Sequence, residues 1–190
     1  MYETVKCKLL QSARTLSAKC MIRRFARQQD GAAAVEFALV AAPFLALTFA
    51  ILETAFVFFA QQTLEATSAD ASRLIMTGQA QTQGFSQTAF KNAVCAKIYG
   101  MFDCQNGVYV DVKTFTSFAN VTMASPVDAQ GNFQNNFSYQ PGGPGDIVVV
   151  RLFYQWPVYV SLLGFNLTNM SGGKRLLVAT AAFRNEPYAN

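Results

Sequence analysis

The sequence predicts an α+β membrane protein, in which a long N-terminal transmembrane helix continues into a small domain with a second helix and a three- or four-stranded antiparallel sheet. An apolar segment follows a basic N-terminus, a helical pattern continues past that segment, and strand patterns occur only later. Charged residues make up 14% of the 190 residues and apolar residues 52%. Because a typical soluble domain carries about 25% charged residues, this composition disfavours a freely soluble protein.

Residues 1–31 form a basic segment, with seven Lys and Arg residues against Glu3 and Asp30. A basic segment that precedes an apolar helix stays in the cytoplasm, so the later residues are predicted to lie in the periplasm, beyond the inner membrane. The alternative is a basic arm that binds nucleic acid, but no aromatic interleaving or base-reading module accompanies it. We therefore expect a cytoplasmic leader and no nucleic-acid partner.

The apolar segment is long enough to cross a membrane once. No charged residue occurs between Phe37 and Leu52, and with Glu53 included the apolar run reaches Ala60. A spanning helix needs about 20 residues. The pattern therefore predicts a transmembrane part at about 37–60.

The helical pattern continues beyond the membrane part. Apolar and small residues recur on one face of the helix at the spacing of a buried stripe: Val57, Ala60, Leu64, Thr67, Ala71 and Leu74. Gly78 is a helix stop signal. One long helix is therefore predicted over residues 32–78, with helical residues from Ala32 to Thr77.

Residues 79–190 are predicted to form an α+β domain in the periplasm. An apolar ridge at four-residue spacing predicts its helix: Phe90, Val94, Ile98 and Phe102. Strand patterns occupy residues 108–115, 146–156 and 175–184, and residues 128–145 form the longest irregular stretch.

The residue types disfavour an enzyme or a metalloprotein. The chain has no histidine, which excludes histidine-dependent triads and the commonest metal ligand. Its four cysteines contain no CxxC pair, so a zinc knuckle is excluded too. We expect no catalytic residue, no cofactor and no metal site.

The leader and the start of the apolar helix resemble a type IV pilin-like precursor. Such precursors have a basic leader that ends in glycine, and their apolar helix carries glutamate at the fifth mature position. Gly31 would end the leader, Ala32 would be the first mature residue, and Glu36 would be the fifth, followed by Phe37. An ordinary secretory signal fits less well, because the leader is long and Glu53 lies where signal peptidase would cut.

Residues 31–79 resemble the TadE-like family of the tight-adherence (Tad/Flp) pilus system. The features that carry this resemblance are Glu36-Phe37, Pro43, Glu53, Arg73 and Thr77-Gly78-Gln79, with FRNEP at 183–187 similar to that family's closing segment. The resemblance implies a minor pseudopilin or pilus assembly protein with a periplasmic pilin-like domain and no enzymatic activity. It implies a prepilin peptidase, other pilus subunits and assembly platform proteins as partners.

The resemblance also implies cleavage between Gly31 and Ala32, and we expect Glu36, Phe37 and Glu53 to act in assembly. Glu36 can pair with the new amine of Ala32 in its own or a neighbouring subunit, or it can snorkel to water. Glu53 is predicted either at the outer membrane interface or facing another helix. The alternative function is an uncleaved single-pass protein whose periplasmic domain binds an envelope partner or a ligand.

The cysteines divide by predicted compartment. Cys7 and Cys20 lie in the cytoplasmic leader, where thiols stay reduced. Cys95 and Cys104 lie outside the cytoplasm, where a disulfide between them would close a short loop and add about 2.7 kcal/mol in the chain-entropy model. The alternative is two buried free cysteines.

Overall fold

The computed structural model describes residues 31–98, 100, 103–159 and 166–188. The chain divides into two compact units, Met1–Thr48 and Phe49–Asn190. The predicted leader, with Cys7 and Cys20, lies outside the described residues except for Gly31. The architecture is α+β, as predicted, with one long apolar helix, several short helices and an antiparallel sheet.

Helix α1 runs from Ala32 to Met76, one residue short of the predicted end. Pro43 lies inside it without ending it, as expected for a helix of this apolar composition. Gly78 stops the helix because it adopts a left-handed φ of 76°, which a residue with a side chain rarely adopts. A Cβ at Gly78 would also collide with the ring of Tyr188.

The sheet has three strands in the described part of the chain, in the order β1 (Val108–Phe115), β2 (Ile147–Pro157) and β3 (Lys174–Arg184). Both pairs of neighbours are antiparallel. The three predicted strand patterns are confirmed to within one residue at each end. They were recognisable because Val, Ile and Leu recur through each strand.

In the second unit, α1 packs on one face of the sheet, and the two share one hydrophobic core. The helix contributes a buried stripe to it: Val57, Ala60, Leu64, Ala71 and Ile75. The sheet contributes residues that pair across the three strands, such as Val110, Leu152 and Ala179. The predicted stripe is confirmed, except that Ile75 is fully buried and Leu74 only partly.

The short helices are α2 (Gln79–Thr82), α3 (Gln87–Cys95) and α4 (Cys104–Gly107), with a 3₁₀ turn at Phe118–Asn120. Ser86 caps the start of α3, because its hydroxyl accepts the N–H of Ala89 at 3.1 Å.

The prediction that the second helix extends along the whole apolar ridge is wrong. Phe90 and Val94 are buried in α3, but the helix ends at Cys95 and Ile98 lies beyond it. After Cys95 the backbone hydrogen bonds join residues three apart and no longer four apart. The N–H of Ile98, for example, donates to Cys95 O at 3.2 Å. Such bonds are a common way for a helix to end. Phe102 lies outside the described residues.

Residues of the predicted irregular stretch, 128–145, cover the opposite face of the sheet. Phe133 and Phe137 from that loop pack on Tyr109 and Phe153 from the strands, with ring centroids 4.8–6.3 Å apart. Aromatic contacts of this kind add to the backbone bonds that join the loop to β1 at Val112. The loop is therefore part of the fold.

A buried ion pair lies beside this aromatic cluster. Asp111 and Arg151 are direct cross-strand partners, and both are buried. Nη2 and Nε of Arg151 donate to Asp111 Oδ2 at 2.6 and 3.2 Å, and Nη1 donates to Ala124 O at 2.9 Å. Asp111 Oδ1 accepts the N–H of Ser138 at 3.1 Å. The pair therefore links two strands to the loop that covers them.

Candidate membrane anchor and assembly segment

The predicted processing site lies at the start of α1. Gly31 is exposed and directly precedes Ala32, the first helical residue, and no atom would contact a Cβ at Gly31 within 4 Å. Glu36 follows one turn later and is exposed, and Phe37 beside it is 74% exposed. Residues four apart lie on the same helix face. Ala32 and Glu36 are therefore placed as neighbours along one side of the helix.

The first part of α1 exposes apolar side chains on every side. The large apolar residues between Val35 and Leu52 are 46–70% exposed, apart from Phe37. The helix is long and apolar enough to cross a membrane, with a mean hydropathy of 2.2 in its most apolar window and none of that window buried. A surface of this kind is stable in lipid or against other apolar helices.

Glu53 is the first buried residue of α1. Its side chain is only 8% exposed, and its Oε1 accepts the N–H of Tyr159, just after β2, at 2.6 Å. The structure places Glu53 against the segment after β2 and not against another helix. Glu53 therefore ties the helix to the domain that packs on it.

The segment after Glu53 alternates buried and exposed apolar residues. Val57 and Ala60 enter the core, whereas Phe56, Phe58 and Phe59 are 56–66% exposed. From Glu53 onward one side of α1 belongs to the domain and the other still presents large aromatic side chains. The change from fully exposed to half-covered helix therefore occurs at Glu53.

The comparison with protein families matches this part of the chain. The model for the TadE-like protein family matches residues 31–73, from the glycine before α1 to the last turn of the helix. Residues 31–73 are therefore similar to TadE-like proteins. No curated protein and no solved structure matches the chain.

The TadE-like segment contains buried polar residues that sequence reasoning did not single out. Ser68 and Ser72 are at most 4% exposed, and their hydroxyls have no hydrogen-bond partner within the described residues. Thr67 is buried beside them. Thr67 belongs to the predicted stripe, whereas the burial of Ser68 and Ser72 was not predicted.

The end of α1 is bound by the residues that follow β3. The N–H of Glu186 donates to Met76 O at 2.9 Å, which satisfies one free carbonyl of the last turn of α1. Asn185 is buried, and its Nδ2 donates to Pro141 O and Gly143 O at 3.0 Å each. The FRNEP segment therefore has a structural role that sequence reasoning did not assign: it joins the helix end to the loop before β2.

The predicted disulfide between Cys95 and Cys104 is confirmed. It joins the end of α3 to the start of α4, with a Cα–Cα distance of 5.5 Å. Cys104 is buried and belongs to the core.

In the described part of the chain, no group of three or more His, Cys, Asp and Glu residues could hold a metal ion. Burial lowers the pKa of Lys91, and the nearby Asp103 opposes that change. Burial raises the pKa of Tyr139 to about 12. Lys91 lies in α3 and Tyr139 lies in the loop before β2.

Proposed function

We propose that this chain is a membrane-anchored, minor pseudopilin-like structural subunit of a Tad pilus system. In this proposal a prepilin peptidase removes residues 1–31, the first part of α1 stays in the inner membrane, and the second unit lies in the periplasm. The single observation that carries the proposal is the TadE-like match over residues 31–73, which coincides with the exposed apolar helix.

The position of Glu36 supports a role in assembly. An ionised residue costs about 3 kcal/mol at the centre of a membrane helix and less near its end. Cleavage after Gly31 would create a cationic amine on Ala32, one turn from Glu36. That amine, in the same or a neighbouring subunit, is a suitable partner for the carboxylate.

The contact made by Glu53 supports an outer membrane boundary near this residue. Twenty-one residue steps separate Ala32 from Glu53, which is about 32 Å of helix at 1.5 Å per residue. The hydrocarbon core of a bilayer is about 30 Å thick. Phe56, Phe58 and Phe59 would then lie in the outer interface, a region in which aromatic side chains are stable.

The proposal is tested by determining the N-terminus of the full chain in bacterial membranes. We expect an intact mass that begins at Ala32 when an active Tad prepilin peptidase is present, and the precursor mass when the peptidase is catalytically inactive. Gly31→Leu should keep the precursor mass with the active peptidase. Retention of residues 1–31 beside the active peptidase would contradict the proposal and favour an uncleaved protein that binds an envelope partner or a ligand.

A further inference from the structure

Strand β3 runs alongside α1 in the second unit, and both point in the same direction. Successive residues of the helix bind successive parts of the chain from the end of β2 to the end of β3: Glu53 with Tyr159, Gln61 with Val178, and Met76 with Glu186. The end of the sheet at which β2 stops and β3 starts therefore lies beside Glu53.

This end of the sheet, here called the β2–β3 end, consists of residues 156–159 and 173–175. The two segments are joined by backbone pairing, with Trp156 opposite Arg175 and Pro157 opposite Lys174. The N–H of Val158 also donates to Gly173 O at 3.1 Å. The ladder of the sheet therefore fixes the position of the β2–β3 end next to Glu53.

Aromatic side chains are exposed at the level of this end. Tyr159 is 82% exposed, and Phe56, Phe58 and Phe59 are exposed on the adjacent part of α1. Phe59 lies six residue steps beyond Glu53, which is about 9 Å of helix. The headgroup layer on each side of a bilayer is about 5–8 Å thick. With the membrane boundary near Glu53, these side chains fall in the layer in which aromatic residues are enriched.

Two cations accompany the aromatic side chains. Lys174 is exposed, and its Nζ donates to Gln155 Oε1 at 3.3 Å, whereas Nη1 of Arg175 donates to Leu167 O at 3.0 Å. In the described part of the chain, the salt bridges involve other residues. An ammonium group carries three donors and a guanidinium group five. Both side chains therefore keep N–H groups that can bind phosphate oxygens.

The carboxylates near this end are already engaged. Glu53 is buried and accepts the N–H of Tyr159. Asp128, in the loop that binds Ser171, accepts two backbone N–H groups, and Asp103, near Tyr154, accepts bonds from Asn106. These negative charges offset the two cations, so the end has no large positive excess. Its chemistry fits the phosphates of phospholipids in general and does not require anionic lipid.

We propose that the β2–β3 end binds the headgroup layer of the membrane in which α1 is anchored, with Tyr159 among the headgroups and Lys174 and Arg175 donating to lipid phosphates. The membrane is favoured over a second protein because the anchor holds this end beside the bilayer at a high effective concentration. The second unit would then touch the bilayer through the sheet as well as through α1. This inference rests on the membrane anchor of the proposed function but not on cleavage after Gly31.

The test uses the fluorescence of Trp156, the single tryptophan of the chain. The full chain is placed in phospholipid nanodiscs at one copy each, so that no neighbouring subunit can cover this end. The lipids carry bromine, a quencher, either close to the headgroup or near the bilayer centre. We expect the shallow bromines to quench Trp156 more strongly than the deep ones, by about twofold or more, because tryptophan would lie at the interface.

Surface variants separate binding of lipid from mere closeness to it. Tyr159→Asp places a charge in the headgroup layer and leaves the backbone N–H that binds Glu53, so it should lower the shallow quenching by about twofold or more. Lys174→Glu should also lower it. The matched control is Phe118→Asp, which changes an aromatic residue that is 58% exposed and follows β1 at the opposite end of the sheet. It should keep the wild-type quenching, and unfolding measurements check that all three variants are folded.

Membrane anchoring is measured separately, by flotation of the full chain with lipid vesicles after an alkaline wash. A chain that fails to float would contradict the anchor in the proposed function. A chain that floats, but whose Trp156 is quenched no more by shallow bromines than by deep ones, would overturn the lipid contact alone. Undiminished quenching in both folded Tyr159→Asp and folded Lys174→Glu would overturn it as well.

Discussion

The carboxylate of Glu53 on the long helix accepts the backbone N–H of Tyr159 at 2.6 Å, although the two residues are 106 positions apart in the chain. Glu53 is almost fully buried, whereas Tyr159 is 82% exposed. The bond marks where α1 begins to belong to the domain. In the proposed function it also marks the outer surface of the membrane.

Glu53→Ala should destabilise the second unit by about 1–3 kcal/mol, because it leaves the N–H of Tyr159 without its acceptor. Chemical unfolding of the detergent-solubilised full chain measures this loss. Glu53→Gln keeps an oxygen acceptor of similar size and should recover part of it. Equal stability of Glu53→Ala and the wild type would mean that the bond contributes nothing to the fold.

Glu36→Gln separates assembly from membrane insertion. Removing a charge makes an apolar helix easier to insert, so the variant protein should accumulate in the membrane at the wild-type level. If Glu36 pairs with the amine of Ala32, loss of the charge should reduce surface pili. Fractionation and quantification of surface pili give the two readouts, with Glu36→Ala as a second variant. Normal piliation by both variants would leave Glu36 as an interfacial residue without an assembly role.

Asp111→Ala should be among the most destabilising single substitutions in the sheet. It leaves the buried guanidinium of Arg151 without its carboxylate, and breaking a buried pair on one side costs about 3–5 kcal/mol. The matched control is the double variant Asp111→Val with Arg151→Leu, which removes both charges and should be clearly more stable than Asp111→Ala. Thermal unfolding compares the two. A double variant no more stable than Asp111→Ala would show that the loss does not come from an unpaired charge.

Tyr139→Phe tests a buried phenol. The Tyr139 hydroxyl has no hydrogen-bond partner among the described residues, so its removal should keep or raise stability at neutral pH, by about 1 kcal/mol at most. Burial raises the pKa of Tyr139 from 10.0 to about 12. The folded state therefore holds this proton where the unfolded state releases it, and stability present below about pH 10 is lost as the pH rises toward 12.

The variant should lose less stability than the wild type across that alkaline interval. Unfolding curves at neutral pH and at two alkaline values measure the difference, and ultraviolet absorbance reports phenolate formation. Identical alkaline losses in the two proteins would mean that Tyr139 titrates at its ordinary pKa.

Several elements were predictable from the sequence because their signals are local. The apolar composition and spacing of α1 were sufficient to locate its start and its buried stripe, and Gly78 marked its end. Strands β1, β2 and β3 were recognisable from short runs of β-branched and apolar residues. The disulfide between Cys95 and Cys104 was predicted from compartment and proximity in the chain.

Other features required residues from distant parts of the chain. Asp111 and Arg151 were not predicted to pair, since only the register of β1 and β2 makes them partners. Phe133 and Phe137 lay in a stretch rich in Asn, Gln and Gly, and nothing local predicted that they cover the sheet. The end of α3 depended on a tightened last turn that the apolar spacing did not reveal.

The sequence by itself determined the apolar helix, the class of fold and the TadE-like segment, because hydropathy and spacing act over a few turns of chain. Only the tertiary structure decided that Glu53 contacts Tyr159 and that FRNEP binds the end of α1. Each of these depends on which backbone groups find partners after the strands have paired. That pairing brings together residues tens of positions apart, and no local pattern encodes it.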